Sequence, residues 1–241
     1  MSPIALVTNV RHFVGLPAAS ELAHQGATVV CHDASFAEAT AREEFEVENP
    51  GLSASPESDP RKLIGAVVGA HGRLDALVCN DAFPAIRAAV EEADLDDLRA
   101  GLESMLVAPF AMSAAAVPQM KAQAGGKIIF VTSAVPFHGL PNYSMYVAAR
   151  GGANALALSL AKELARHNIQ VNAIAPNYVE SPSYFPPDLL ANAEALAKIT
   201  RNIPLGRLGK PAEAAAAIAF LALGESDFIT GHVMPLAGGW A

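Results

Sequence analysis

The chain has 241 residues, 52% hydrophobic and 17% charged, enough apolar material to cover both faces of a sheet with helices. A formal net charge of −8 gives no electrostatic support to nucleic-acid binding, and no polybasic segment marks the chain for an anionic membrane. The start, Met1-Ser-Pro-Ile-Ala-Leu-Val7, lacks the basic region and long apolar core of a secretion signal, and no apolar run reads as long enough to span a bilayer. Cys31 and Cys79 sit in apolar, strand-like runs, which fits buried thiols in a reducing compartment rather than a disulfide or a metal pair. A cytoplasmic, metal-free protein is expected.

Short apolar runs alternate with helical patterns. Ile4–Thr8 reads as a strand, followed by a helix over Leu16–Gln25 that Gly26 ends. Ala27–His32 is a second strand, followed by a helix near Phe36–Val47, a Pro/Ser-rich surface loop over Pro50–Pro60, and a helix to about Ala70. Leu74–Cys79 is continuous and apolar, as a parallel strand buried on both faces should be. A helix over Leu102–Gln123 precedes Gly125-Gly126 and a strand at Lys127–Thr132. One long helix over Tyr143–His167, a strand at Gln170–Ala175, a Pro-rich loop over Pro176–Pro187, helices over Asp188–Arg201 and Pro211–Leu223, and a strand at His232–Leu236 complete the pattern. The alternation predicts right-handed βαβ crossovers and one doubly wound, Rossmann-like α/β domain over 1–241. Ligands in such sheets bind beyond the carboxyl ends of the strands, so the segments after Thr8, His32, Cys79, Thr132 and Ala175 carry the interest.

After the strand ending at Thr132 come Ser133 and then, on the following helix, Tyr146 and Arg150, four residues apart and so on one helical face. A phenol beside a fixed cation has its pKa lowered, which makes it a general base, and a serine hydroxyl beside it can hold a substrate oxygen. Ser133…Tyr146-Val-Ala-Ala-Arg150 resembles the Ser…Tyr-x-x-x-Lys pattern of the short-chain dehydrogenase/reductase superfamily. Gly72-Arg-Leu-Asp-Ala-Leu-Val-Cys-Asn80, Val171-Asn-Ala-Ile-Ala-Pro176 and Ile229-Thr-Gly-His232 with Gly238-Gly239 extend that resemblance along the chain. Two departures stand out. Where the superfamily's first loop is Thr-Gly-x-x-x-Gly-x-Gly, this chain has Thr8-Asn-Val-Arg-His-Phe-Val-Gly15, so Asn9 and Phe13 replace the glycines that let a backbone approach a pyrophosphate. Arg150 replaces the lysine that, by resemblance, also binds the cofactor ribose.

Together these features resemble the halohydrin dehalogenases, relatives without a nicotinamide cofactor that use a Ser–Tyr–Arg set. The resemblance also rests on Val78-Cys-Asn-Asp-Ala-Phe83 and Ala175-Pro-Asn-Tyr-Val179. It implies that Ser133, Tyr146 and Arg150 convert vicinal halohydrins to epoxides with release of halide, and in reverse open epoxides with small anions. It also implies a halide and substrate pocket from Phe13, Pro176, Asn177, Tyr178, Val179, Phe83, Tyr184 and Phe185, no cofactor, and a homotetramer. The backbone N–H groups of Asn177, Tyr178 and Val179 are expected to face the halide, and Tyr184-Phe185-Pro186-Pro187 to form a lid. Asp33 reads as a loop cap, His12 as a loop-packing residue, Asp81 as a buttress of the active-site loop, and Asn80 as a tie from its strand to a neighbouring helix. Trp240 packs either at a subunit interface or over its own sheet, and no tail after it is expected to reach a neighbouring site. A nicotinamide-dependent reductase with a degenerate loop and a catalytically silent binding protein remain the alternatives.

Overall fold

The computed structural model describes residues 2–182 and 184–241. Seven parallel strands form one sheet: β1 (Ile4–Val7), β2 (Thr28–His32), β3 (Leu52–Ser55), β4 (Ala76–Cys79), β5 (Gly126–Val131), β6 (Ile169–Pro176) and β7 (Val233–Leu236), in the order β3-β2-β1-β4-β5-β6-β7. The order reverses between β1 and β4, so a crevice opens there at the carboxyl ends of the strands. Every residue of β1, β4 and β6 is buried; β1 and β4 are apolar throughout, as strands covered on both faces are, while β6 carries the buried polar side chains of Gln170 and Asn172.

One face of the sheet is covered by α1 (Gly15–His24), α2 (Ala39–Glu48) and α9 (Pro211–Leu223), where small residues such as Ala18, Ala19, Ala215 and Ala219 let α1 and α9 approach closely. The other face carries α3 (Pro60–His71), α5 (Ala108–Ala122) and α6 (Ser144–Leu164), packed through Leu63, Met112, Met120 and Leu164. Local chemistry sets several ends. Asp59 accepts from the Lys62 N–H at 2.9 Å to cap α3, Pro60 opens that helix, and Gly72 closes it at φ 78.

The structure departs from the sequence reading in four places. The Pro50–Pro60 loop contains the edge strand β3, held by its backbone ladder to β2. The helix expected from Leu102 starts earlier, as α4 (Leu95–Leu102), and runs through a widened turn at Glu103–Val107 into α5. Within this continuous stretch, Leu95–Ala122, an 18-residue window has a mean hydropathy of 1.5, so the helix is long and apolar enough to cross a membrane by length and composition. No run had read that way from sequence, because Asp94, Asp96 and Asp97 mark its start. Its Met112, Ser113, Ala116 and Met120 are buried against the sheet side. Finally, the helix expected over Asp188–Arg201 is two: α7 (Pro187–Ala191) and α8 (Ala193–Thr200). They divide at Asn192, whose side chain accepts from the Ala195 N–H at 3.0 Å and so caps α8.

Candidate active site

Ser133 lies two residues beyond the end of β5 and is 2% exposed. Its Oγ accepts from the Val135 N–H at 3.2 Å, which leaves its own proton free to donate. Its carbonyl accepts from Asn154 Nδ2 on α6 at 3.2 Å, tying strand end to helix. Tyr146 and Arg150 occupy the first turns of α6 on one face, as their spacing predicts. Arg150 is 3% exposed, and its Nη1 donates to the carbonyls of Asp81 at 2.9 Å and Val131 at 3.0 Å. The guanidinium is thus fixed between the ends of β4 and β5, with Cζ 5.5 Å from the centre of the Tyr146 ring. Burial alone would raise the Tyr146 phenol. The Arg150 charge, with the side chains of Ser133, Arg150 and Tyr184 acting in the same direction, brings it below its ordinary value.

These three residues share a cavity of about 210 Å³ with Phe13, Pro176, Asn177, Tyr178, Val179, Tyr184 and Phe185. Phe83 is not among its walls. It lies behind Tyr146 beside Gly101, Met105 and Met145, and a Cβ added to Gly101 would sit 3.5 Å from its ring. Leu140 and Tyr143, which the sequence reading passed over, also line the cavity. Their position between Ser133 and Tyr146 was the available signal, since a loop joining two candidate site residues must pass the site. A larger groove of about 590 Å³ lies at the opposite end of the sheet, around Arg73, Asp75 and Lys127, with its cations already paired.

The expected donor set is smaller than the loop sequence implied. The Asn177 N–H donates to the Leu236 carbonyl of β7 at 3.0 Å, and the Tyr178 N–H to Asn177 Oδ1 at 3.0 Å. Of the three, the Val179 N–H is the one without an acceptor among the described residues. The Tyr184 phenol is pushed up to about 12, by burial first and then by the neighbouring Tyr146, so it stays protonated and can donate.

The loop before α1 keeps the backbone of a glycine loop while carrying side chains. Asn9 and Phe13 stand at φ 46 and 45, the left-handed region that favours glycine. Asn80 Nδ2 fixes this loop by donating to the carbonyls of Asn9 at 3.0 Å and His12 at 2.8 Å, so it ties the strand to this loop rather than to a helix. Asn9 Nδ2 in turn donates to Asp81 Oδ1 at 2.5 Å, the buttressing bond expected of Asp81. The His12 side chain is exposed rather than packed, and Asp33 caps the next turn by accepting from Ser35 N–H at 3.0 Å and Ser35 Oγ at 2.7 Å. The Phe13 ring meets Tyr184 edge-on, with centroids 5.7 Å apart. Beyond β2, the Arg11 guanidinium lies 5.4 Å over Phe36 and 5.9 Å over Phe45. The cavity of about 210 Å³ falls below the roughly 300 Å³ at which drug-sized ligands begin, and a dinucleotide is larger still. The residues present do not fit a dinucleotide against the N-terminus of α1.

A family model described as enoyl-(acyl carrier protein) reductase matches residues 11–241. A solved structure described as a dehalogenation enzyme is 49% identical, covers 100% of this chain and 98% of its own, and superposes with a TM-score of 0.96. A halohydrin dehalogenase bound to ethyl (2S)-oxiran-2-ylacetate is 42% identical over 98% of this chain and 96% of its own, with a TM-score of 0.94. The chain belongs to the halohydrin dehalogenases of the short-chain dehydrogenase/reductase superfamily. Similarity to the reductases is lower but also full-length: the 3-oxoacyl-(acyl-carrier-protein) reductase of Thermotoga maritima is 33% identical over 98% of this chain and 96% of its own. A halohydrin dehalogenase fold and a reductase fold are therefore one scaffold here, and the loop around Asn9 and Phe13 is where the residues present separate them.

Proposed function

We propose that this chain is a cofactor-independent carbon–halogen lyase that converts vicinal halohydrins to epoxides. The observation that carries this reading is Phe13, whose ring lines the same cavity as Ser133, Tyr146 and Arg150. The Ser133 hydroxyl donates to the substrate hydroxyl oxygen, and Tyr146, as phenolate, takes the hydroxyl proton. The resulting alkoxide attacks the neighbouring carbon from the back. The carbon–halogen bond breaks with its electron pair, giving epoxide and halide. Arg150 favours the phenolate throughout and, as an arginine, does not deprotonate. In reverse, halide, cyanide, azide or nitrite opens an epoxide while Tyr146 returns the proton.

Halide leaves toward Phe13, Pro176 and the Asn177–Val179 turn, where the Val179 N–H, the Tyr184 hydroxyl and the positive ring edge of Phe13 suit a large, weakly hydrated anion. The test is bromide release and epoxide formation from a vicinal bromohydrin with no nucleotide added. Absence of release, with nucleotide-dependent reduction of a carbonyl substrate, would overturn the reading.

We also infer a homotetramer of a single domain, working in the cytoplasm. Val107, Phe110 and Leu158 are exposed on the α5 and α6 side, where a second copy would cover them, and both cysteines are free and buried. Sedimentation at micromolar concentration should give four chains, and a monomer would refute the assembly.

A further inference from the structure

We infer that Trp240 is a positioning residue that clamps two loops lining the cavity, the one after Ser133 and the turn after β6 on the anion side. This rests on reading that cavity as a dehalogenase site. The Trp240 ring meets His138 edge-on at 4.8 Å between centroids and Tyr178 edge-on at 5.8 Å. His138 belongs to the loop after Ser133, and Tyr178 to the turn after β6, so one indole spans both. Beneath it lie Ala134, Ala175 and Ala237, residues at the ends of β5, β6 and β7 whose small side chains leave room for the ring.

The backbone sets this placement. Asn177 N–H donates to Leu236 O at 3.0 Å and Ala134 N–H to Pro176 O at 3.1 Å, locking the three strand ends together. Gly238 and Gly239, at φ 61 and 87, then turn the chain so that Trp240 N–H returns to Ala237 O at 3.1 Å. The clamp acts where strain is stored. Tyr178 stands at φ 56, a left-handed conformation that a bulky residue holds only when its surroundings impose it. Tyr178, with Asn177, lines both the active-site cavity and a second cavity of about 200 Å³ bounded by Arg207 and Gly238. With room behind it, the turn needs a brace, and the indole is the aromatic group that touches the Tyr178 ring among the described residues. Releasing the ring lets Tyr178 relax, and the adjoining Val179, which lines the cavity, shifts with it.

The experiment compares wild type with Trp240→Leu, which keeps apolar volume without ring faces, and Trp240→Phe, which keeps a ring. Amide hydrogen exchange is measured over 134–139 and 176–180, together with bromide inhibition of bromohydrin turnover. Trp240→Leu should speed exchange in both segments and leave the sheet core unchanged. It should weaken bromide inhibition about two- to tenfold, the range one ring–ring contact commands. Trp240→Phe should recover most of both effects. Unchanged exchange in both segments, or bromide inhibition equal to wild type despite faster exchange, would overturn the clamp. If Trp240→Leu does not fold, His138→Ala on the exposed loop takes its place, and it must speed exchange over 134–139 for the clamp to stand. If the wild type releases no halide, the dehalogenase reading falls, and the exchange comparison still decides the clamp.

Discussion

Replacing Asp81 by Asn should change how stability depends on pH. Asp81 is 8% exposed, its Oδ1 accepts from Asn9 Nδ2, and its Oδ2 has no partner among the described residues. Burial pushes the carboxyl from an ordinary 3.8 to about 7, although the Arg150 charge and the Asn9 bond oppose the shift. The folded chain therefore keeps a proton between about pH 4 and 7 that the unfolded chain has lost. Its contribution to stability is fully present below the unfolded value and is lost as pH rises through the folded one. At about 1.36 kcal/mol per unit the whole window amounts to about 4 kcal/mol, of which about 2.5 kcal/mol falls between pH 5 and pH 8. Asparagine has nearly the same shape, can still accept from Asn9, and carries no titrating proton. Relative to wild type, Asp81→Asn should therefore gain about 2.5 kcal/mol between pH 5 and pH 8, roughly 5–10 °C in Tm for a chain of this size. Thermal unfolding followed by circular dichroism at pH 5, 6, 7 and 8, at one protein concentration, reads the difference directly. If the Tm curves of the two proteins run parallel across this range, Asp81 does not titrate there and the burial argument is wrong.

Tyr146→Phe removes the proton acceptor and little volume, so halide release should fall by at least ~10²-fold, the lower end of what a positioned general base supplies; turnover near wild type would refute the mechanism. Ser133→Ala should be nearly as damaging in the same assay. Arg150→Met removes the charge that favours the phenolate, so the rising limb of kcat/KM against pH should move to higher pH, whereas Arg150→Lys should keep part of the activity. Calorimetric titration with NAD or NADP should show no saturable binding in the micromolar range, because the Phe13 and Asn9 side chains take the room a diphosphate needs.

The sequence by itself determined the scaffold and the candidate catalytic set. Runs such as Ile4–Val7 and Ala76–Cys79 are apolar at every position because both faces are covered, a pattern visible without coordinates. Tyr146 and Arg150 meet because helical spacing alone puts residues four apart on one face. The substitution of Asn9 and Phe13 for glycine was equally legible, although only the structure showed both held in a left-handed backbone. What escaped the sequence depends on partners far along the chain. Leu-Ser-Ala-Ser at β3 has one large apolar residue and is a strand only because β2 offers it a ladder. Asn177 and Tyr178 looked like anion donors, but the first spends its N–H on Leu236, and no local pattern announces that β7 would pair there. Phe83 sits close in sequence to Asp81, yet packing by Gly101 and Met105 draws it behind Tyr146. Period and spacing are properties of neighbouring residues and survive in the sequence. The acceptor a given N–H finds, and the side of a wall a ring occupies, are settled only when distant strands and helices close on one another.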